Sequence, residues 1–266
     1  MVEKSFRSSL RSNTTALYNV ISVALLFLLW EVLAKVLSSP FFPSLTDVLS
    51  RAARIMVNGD IEGYSLLYHA FASILRFFSG FGLACITGFP IGVVMGLRRE
   101  IYNALKSIIE PLRFIPPIAW LPLAFLLLPG YLRYVMIIWL GAFFPILLST
   151  IAGIKRTSPV YIDVAKVFGA DKKSIIFKVV IPSALPEILA GMRIGLGVGW
   201  MCIVAAEMMG GEPVGLGRLI IKYTELLQID ASLVGLFSIG IIGLLMNEAF
   251  LQMEKRFFKW RMEVKI

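Results

Sequence analysis

Charged side chains and histidine are scarce in this sequence. Only 16% of its 266 residues are Asp, Glu, Lys or Arg, whereas 58% are apolar and the mean hydropathy is +0.82. A typical soluble domain has about 25% charged residues and about 45–50% apolar ones. The composition therefore excludes an ordinary soluble domain and indicates an integral membrane protein.

The scarcity of histidine and of other reactive side chains excludes most kinds of catalytic and metal site. His69 is the single histidine, so the sequence offers neither a multi-histidine metal site nor a credible Ser/His/Asp or Cys/His set. No zinc or calcium spacing occurs. The two cysteines, Cys85 and Cys202, lie far apart in apolar segments, which favours packing over a disulfide. We predict no catalytic residues, no metal site and no enzymatic activity for this chain.

A nucleotide-binding loop is also missing. The phosphate cradle G-x-x-x-x-G-K-[ST] requires a Gly-Lys dipeptide, and the sequence contains none. The chain should therefore not bind ATP by that mechanism, and the energy must come from another polypeptide. The net charge of +9 could indicate a nucleic-acid partner, but no stretch combines dense Lys/Arg with exposed aromatics on a soluble fold. No nucleic acid is expected to bind.

Long apolar runs, in contrast, are abundant, and a membrane-spanning helix needs about 20 mostly apolar residues. The sequence predicts an all-α membrane protein with about six transmembrane helices, at residues 17–37, 70–97, 108–128, 132–153, 186–206 and 232–252. Prolines and glycines interrupt the third and fifth runs. The first run continues through Trp30 and Glu31 without a small-residue cleavage site, so we expect a retained span rather than a signal peptide.

The basic residues predict the orientation in the membrane. With the N-terminus inside, the inner segments hold 17 Lys/Arg and the outer segments hold 5. The positive-inside rule then places both termini in the cytoplasm. The C-terminal stretch EKRFFKWRMEVK, residues 254–265, combines basic and aromatic side chains that would bind anionic lipid headgroups.

A polar loop, residues 155–182, lies on the predicted cytoplasmic side. The Ser-Pro pair at 158–159 is a typical helix start, and Gly169 stands where a helix commonly ends in a left-handed residue. Asp171 can cap a second helix, which should stop at Pro182. The first helix is too short to be stable alone in water, so its apolar face must be covered. The residues alone leave two alternatives: a helix lying on lipid headgroups, or a docking element for a cytoplasmic partner.

The spacing in this loop resembles the cytoplasmic signature of permease subunits of ABC importers. That signature runs Glu-Ala-Ala, three residues, Gly, nine residues, Ile, one residue, Leu-Pro. Here Asp163-Val164-Ala165 is followed by Gly169, Val179, Ile181 and Pro182, with conservative departures such as Asp for Glu. The resemblance implies a cytoplasmic coupling helix between spans 4 and 5 that docks on an ABC ATPase subunit. The residues that it assigns to this coupling are Asp163, Val164, Ala165, Phe168, Gly169, Ala170 and Pro182.

Further segments resemble the nitrate, sulfonate, taurine and bicarbonate branch of these permeases. They are residues 113–126, 140–153, 182–208 and 215–220. The branch implies an inner-membrane protein that works as a homodimer and transports a small anionic nutrient. It also implies an extracytoplasmic substrate-binding protein as partner, ATP on the ATPase subunit and no cofactor in this chain.

The resemblance also implies a division of the chain. A permease core with five spans and the coupling loop would occupy residues 65–260. Residues 1–64 would form an N-terminal cytoplasmic tail, the first span and an outer loop. Residues 261–266 would form a second cytoplasmic tail.

Ionisable residues in spans are costly and usually face a cavity or a partner. An arginine beside the pathway would attract a small anion and pair with its oxygens. The candidates for the substrate pathway are Arg76, Arg113, Arg193 and Glu207. The alternative is a salt bridge between helices or, for Arg113, snorkelling to the boundary. Glu110 and Arg113 could also pair across one helical turn.

Small residues recur at regular spacing in two of the predicted spans. The second and fifth spans repeat small residues every four positions, at Ala84, Gly88, Gly92 and Gly96 and at Gly191, Gly195 and Gly199. Such stripes let helices approach closely, within one chain or at a pore or dimer surface.

The third span contains four prolines, Pro111, Pro116, Pro117 and Pro122. They predict a bent element beside the pathway, with simple kinked packing as the alternative.

Other functions are also compatible with some of these sequence features. A permease for a neutral or cationic organic nutrient, such as a vitamin precursor, would show much the same pattern. A secondary transporter would not need the loop at 159–182. An intramembrane enzyme or scaffold would need a catalytic dyad at membrane depth, and the sequence contains no credible one.

Overall fold

The computed structural model describes the backbone of residues 2–257 and the side chains of residues 18–256. This part of the chain is helical and contains no strand. Its α-helices are α1 Val2–Leu37, α2 Leu45–Asn58, α3 Leu66–Leu97, α4 Arg99–Phe114, α5 Leu121–Leu127, α6 Tyr131–Lys155, α7 Pro159–Val167, α8 Lys172–Ile175, α9 Ile181–Met209, α10 Leu216–Glu225 and α11 Ile229–Phe257. A 3-10 turn, Pro117–Trp120, precedes α5, and a π-helical segment, Ile176–Val180, joins α8 to α9.

Five segments are long and apolar enough to cross a membrane: Tyr18–Leu37, Leu66–Leu97, Tyr131–Lys155, Lys172–Met209 and Ile229–Arg256. A sixth crossing is counted if the bent pair formed by Arg99–Phe114 and Pro117–Leu127 is one span. The prediction of an all-α membrane protein with about six spans is therefore confirmed.

The third span, predicted at 108–128 as a bent element, is bent, but its first helix begins earlier than predicted. Helix α4 already begins at Arg99, and the chain bends by 89° between α4 and Pro117–Leu127. Pro116 and Pro117 cause the break, because neither can donate the backbone hydrogen bond that would continue α4. Pro111 lies inside α4, and Pro122 lies in the first turn of α5, where a missing N–H costs nothing.

The chain divides into two compact units. The first comprises the chain up to Leu66 together with Leu219–Leu236, and the second comprises Leu67–Arg218 and the chain from Phe237 onward. The boundaries at 64 and 260 stay predictions, and the tail at 261–266 lies outside the described residues.

In the first unit, Ser44 starts α2 with a capping box. Its side chain accepts the amide of Asp47, and the Asp47 carboxylate accepts the amide of Ser44. Helix α1 is fastened to this start by two contacts: Trp30 Nε1 donates to the Pro43 carbonyl at 3.2 Å, and Thr46 Oγ1 donates to Glu31 at 2.9 Å. These bonds fix the turn between the first span and α2.

A second turn of the first unit is organised by a buried ion pair. The Asp60 carboxylate accepts the amides of Glu62 and Tyr64, both at 2.9 Å, and Lys222 Nζ at 2.7 Å. Burial raises the pKa of Asp60, but the bonds from Lys222 and the two amides outweigh it and hold that pKa below its ordinary value of 3.8. The turn is thus stabilised by the ionised carboxylate.

We expect this turn to be sensitive to acid. Because the folded-state pKa of Asp60 is depressed, its stabilisation is complete above pH 3.8 and is lost as the pH falls through the lower folded value. Hydrogen exchange should show the amides of Glu62 and Tyr64 protected at neutral pH and exposed in that acid range. Asp60→Asn should expose them at neutral pH, whereas Glu62→Gln, which leaves the Asp60 carboxylate intact, should not.

In the second unit, α3 and α9 both pack closely on α6 through the glycine stripes. A Cβ on Gly92 would lie 2.7 Å from Thr150 Cβ, and one on Gly96 would lie 2.9 Å from Ile154 Cβ. In the contact of α9 with α6, a Cβ on Gly195 would lie 3.0 Å from the Ala142 carbonyl. These stripes therefore serve tight packing within the chain, because only glycine lets the helices approach this closely.

Candidate functional site: the 158–182 segment and the charges of the spans

Helix α7 begins and ends as the sequence predicts. Pro159 occupies its first turn after Ser158, although the Ser158 side chain makes no capping hydrogen bond. At the other end Gly169 has φ +78°. The Gly169 amide donates to the Lys166 carbonyl at 2.9 Å, and the Ala170 amide donates to the Ala165 carbonyl at 3.0 Å. This pair of bonds is a Schellman motif, which needs the left-handed residue that glycine supplies.

The second helix starts as predicted but does not end as predicted. Asp171 caps α8 by accepting the amide of Lys173. The hydrogen bond from the Ser174 side chain, together with those from the backbone, lowers the pKa of the Asp171 carboxyl, although burial acts to raise it. The predicted stop at Pro182 is wrong, because Pro182 lies in the first turn of α9, which continues to Met209. The π-helical segment Ile176–Val180 stands immediately before Pro182. Its wider turn accommodates the proline ring and the missing donor.

Helix α7 is attached by one face and exposed on the other. Ile162 packs against a buried cluster of Ile154, Val180, Ala184 and Ile188. No residue of α7 itself is buried, and Val167 and Phe168 are 85% and 86% exposed.

The coupling residues that the sequence predicts form part of this surface. Asp163, Val164, Phe168 and Gly169 are exposed, while Ala165, Ala170 and Pro182 are half-buried. Asp163 accepts a hydrogen bond from Lys166 at 2.9 Å on the same helix. In the single chain the apolar side of α7 is therefore an uncovered surface, which we call the α7 face: Val160, Tyr161, Val164, Val167 and Phe168.

Two of the predicted pathway residues, Arg76 and Glu207, contact each other. Arg76 Nη1 lies 2.7 Å from Glu207 Oε1 and also donates to the Val214 carbonyl at 2.7 Å. The two side chains are 9% and 1% exposed. The Arg76 guanidinium also stacks on the Tyr134 ring, with Cζ 4.6 Å from the ring centroid. Each charge thus has its counter-charge inside the protein.

The same carboxylate organises the loop between α9 and α10. Ser73 Oγ donates to Glu207 at 2.8 Å, and the Gly217 amide donates to it at 3.0 Å. Ser73 Oγ also accepts the Leu216 amide, and His69 Nδ1 accepts the Gly215 amide at 3.0 Å. This group, which we call the Arg76–Glu207 clamp, fastens the loop to the start of α3.

The remaining pathway candidates lie apart from the clamp and from each other. Arg193 is partly exposed and lies 3.8 Å from Glu254, at the limit of ion-pair distance. Arg113 stands in the last turn of α4, exposed, with Cζ 4.8 Å from the ring of Phe114. Glu110 faces Lys106 at 3.7 Å rather than Arg113.

The described residues do not form a recognisable metal site. No group of three or more His, Cys, Asp or Glu side chains there is arranged to hold an ion. Cys85 and Cys202 are free thiols. The candidate functional features are thus the α7 face, the Arg76–Glu207 clamp and the exposed arginines.

A family model described as "binding-protein-dependent transport system inner membrane component" matches residues 88–259. The chain is a member of this permease family. The match covers the bent pair, α6, the α7–α9 segment, α10 and α11, so that the α7 face and Arg113 lie within the family region. The chain is accordingly a multi-pass ABC transporter permease, which is a transport component rather than an enzyme.

The names of similar proteins agree with this assignment. The permease is 37% identical over 97% of its length to a putative ABC transporter permease of Methanocaldococcus jannaschii, covering 97% of that protein. It is 35% identical over 91% of its length to the taurine transport system permease protein of Escherichia coli, covering 88% of it. It is 33% identical over 87% of its length to the nitrate import permease protein of Synechocystis, covering 86% of it.

A solved structure shows the same fold. The methionine ABC transporter MetNI, in inward-facing conformations, aligns with a TM-score of 0.53 at 19% identity. The alignment covers 70% of this chain and 95% of the MetNI chain. At that identity the likeness concerns the fold alone.

Proposed function

We propose that this permease forms the membrane pathway of an ATP-driven importer and that the α7 face docks on a separate ATPase subunit. The observation that carries the proposal is the α7 face itself. An apolar, solvent-facing surface on a nine-residue helix needs a partner, since such a helix is too short to be stable without packing. The absence of a Gly-Lys dipeptide supports ATP binding on that partner rather than on this chain.

The connection from α7 to α9 supplies a way to transmit force. Ile162 anchors α7 on the buried cluster that includes Val180 and Ala184, and α8, the π segment and α9 follow as one uninterrupted helical element. A displacement of α7 by the ATPase would therefore move α9 directly. Closure of two ATPases on the two α7 helices of a homodimer would switch the pathway between inward-open and outward-open forms.

The substrate that we propose is a small anionic nutrient. The relatives named for taurine and nitrate, together with a bicarbonate transport permease of Synechocystis at 32% identity, all carry anionic or zwitterionic oxyacids. A substrate-binding protein would deliver the nutrient at the side opposite α7. The distribution of 17 inner and 5 outer Lys/Arg supports cytoplasmic termini in the inner membrane, with lipid around the spans.

The docking surface can be tested by placing a charge on it. Phe168→Asp should lower co-purification of the ATPase subunit and ATP-dependent uptake at least about tenfold, because it removes an apolar side chain whose burial is worth about 1.5–3 kcal/mol and adds a charge. Phe168→Leu should retain most of both activities. Uptake measured in vesicles and pull-down with mass spectrometry give the two readouts.

Two results would contradict this proposal. Wild-type levels of ATPase binding and uptake in Phe168→Asp would show that the α7 face lies on lipid or in water. Uptake that persists without any ATPase would identify a secondary transporter instead.

A further inference from the structure

The bend between α4 and α5 exposes irregular backbone at mid-height of the helix bundle. At one end, Ile109 of α4 packs on a cluster that includes Leu147 of α6. At the other end, the Phe125 ring of α5 meets the Tyr134 ring of α6 edge-on, with centroids 6.0 Å apart. Residues 134 and 147 are separated by about 20 Å along α6 at 1.5 Å per residue. The break at 115–120 thus lies between these two levels of α6, a helix that is long and apolar enough to cross a membrane.

Only one side of this break is covered by the chain. Leu121 and Ala124 of α5 are fully buried, but Phe114, Pro116 and Ile118 are exposed. Ile115 and Pro116 are not helical, although the Ile115 amide donates to the Leu112 carbonyl and the Ala119 amide donates to the Pro116 carbonyl. Pro117 has no N–H to donate to the Arg113 carbonyl four residues before it, so that acceptor lies outside the regular helical ladder. Such backbone is not stable against lipid and occurs at membrane depth only where protein covers it or water fills a cavity.

Arg113 stands directly before this break and has no acidic partner among the described residues. Its guanidinium lies against the Phe114 ring, a contact that leaves the N–H groups of the guanidinium free to donate to other groups. Arg76 and Glu207 neutralise each other, and Arg193 faces Glu254. An unpaired arginine at this height requires water or an anion, because a charge in hydrocarbon is costly.

We propose that the break at 115–120 lines the water-filled pathway and that Arg113 binds the anionic substrate there through its guanidinium. This inference rests on the proposed function for the identity of the ligand. The class of ligand that fits is a small oxyanion, such as a sulfonate, nitrate or bicarbonate, whose oxygens match the planar guanidinium donors. Phe114, exposed at 74%, supplies an apolar wall beside that charge.

Water access is tested with cysteine reagents, independently of transport. In a background with Cys85→Ala and Cys202→Ala, Ile115→Cys should react with membrane-impermeant methanethiosulfonates. Ile86→Cys, exposed at 73% on the unbroken α3, should not react because its thiol faces hydrocarbon. The negatively charged reagent should react faster than the positively charged one. Adding Arg113→Gln should reduce that ratio about fivefold, since it removes a charge two residues away.

Substrate contact is tested in proteoliposomes that hold the permease, its ATPase and its binding protein, with taurine and nitrate as probes. Arg113→Gln should lower uptake about tenfold or more, while Arg113→Lys retains part of it. Co-purification of the ATPase and thermal stability should match wild type in both variants, which separates substrate contact from a folding role.

The outcomes separate this inference from the proposed function. If wild type imports a probe but Ile115→Cys is unreactive, or its reactivity ignores reagent charge and Arg113→Gln imports normally, the inference is wrong and the permease function stands. If wild type imports neither probe with its partners present, the anionic substrate is wrong, and with it the role of Arg113 as an anion contact.

Discussion

Replacing Arg76 by methionine is expected to destabilise the permease by about 3–5 kcal/mol, because it leaves a buried carboxylate without its counter-charge. Glu207 is 2% exposed, and its remaining donors are the Ser73 hydroxyl and the Gly217 amide. Two neutral donors do not compensate a desolvated charge. The measurement is unfolding of the detergent-solubilised protein in a denaturant series, followed by circular dichroism.

The double variant Arg76→Met/Glu207→Gln provides the matched comparison. Glutamine keeps an acceptor for the Gly217 amide and removes the charge, so this variant should regain about 2 kcal/mol over Arg76→Met. Arg193→Met is the second control. It removes a partly exposed pair at 3.8 Å and should cost less than about 1 kcal/mol. A loss below about 1 kcal/mol for Arg76→Met would show that water reaches the Glu207 carboxylate.

Adding a single methyl group at Gly191 is expected to cost about 3 kcal/mol, at the upper end for overpacking. An alanine Cβ there would overlap the Ser149 side chain of α6 and lie 2.9 Å from the Pro145 carbonyl, so α6 and α9 would have to separate. Melting temperature and the yield of monodisperse protein after extraction measure the effect.

Gly197 on the same helix gives the control for this prediction. No atom lies within 4 Å of a Cβ there, so Gly197→Ala should be neutral or slightly stabilising, since alanine favours a helix more than glycine does. Combining Gly191→Ala with Ser149→Gly should restore part of the loss. Equal stability of Gly191→Ala and Gly197→Ala would contradict close α6–α9 packing.

The sequence predicted most of the helical framework because hydropathy and helix-end chemistry are local properties. Gly169 ends α7 with the left-handed conformation that its lack of a side chain predicts. The prolines of the third span correctly predicted a bend, which is 89° at Pro116. The helix end predicted at Pro182 is wrong, because a π turn lets the helix continue there. Whether a proline ends or only deforms a helix depends on what packs around it.

The sequence identifies the charged residues of the spans, but it does not show which of them form ion pairs with each other. Arg76 and Glu207 are 131 residues apart, and no local spacing connects them. Ser73 and His69, which complete the clamp, carry no signal of their own beyond being polar residues in an apolar run. The roles that the sequence assigns to Asp163, Phe168 and the other coupling residues stay predictions that the docking experiment tests.

The glycine contacts of α6 have a mechanical consequence. Where Gly92 and Gly96 of α3 and Gly191 and Gly195 of α9 meet α6, backbone rests against neighbouring side chains and carbonyls with no compressible layer between them. If one helix slid or rolled against another, its backbone would clash with the side chains and carbonyls of its neighbour. The three helices should therefore move together as one rigid block. A push delivered at α7 would therefore displace the whole block, and the proposed pathway would change shape at the broken span.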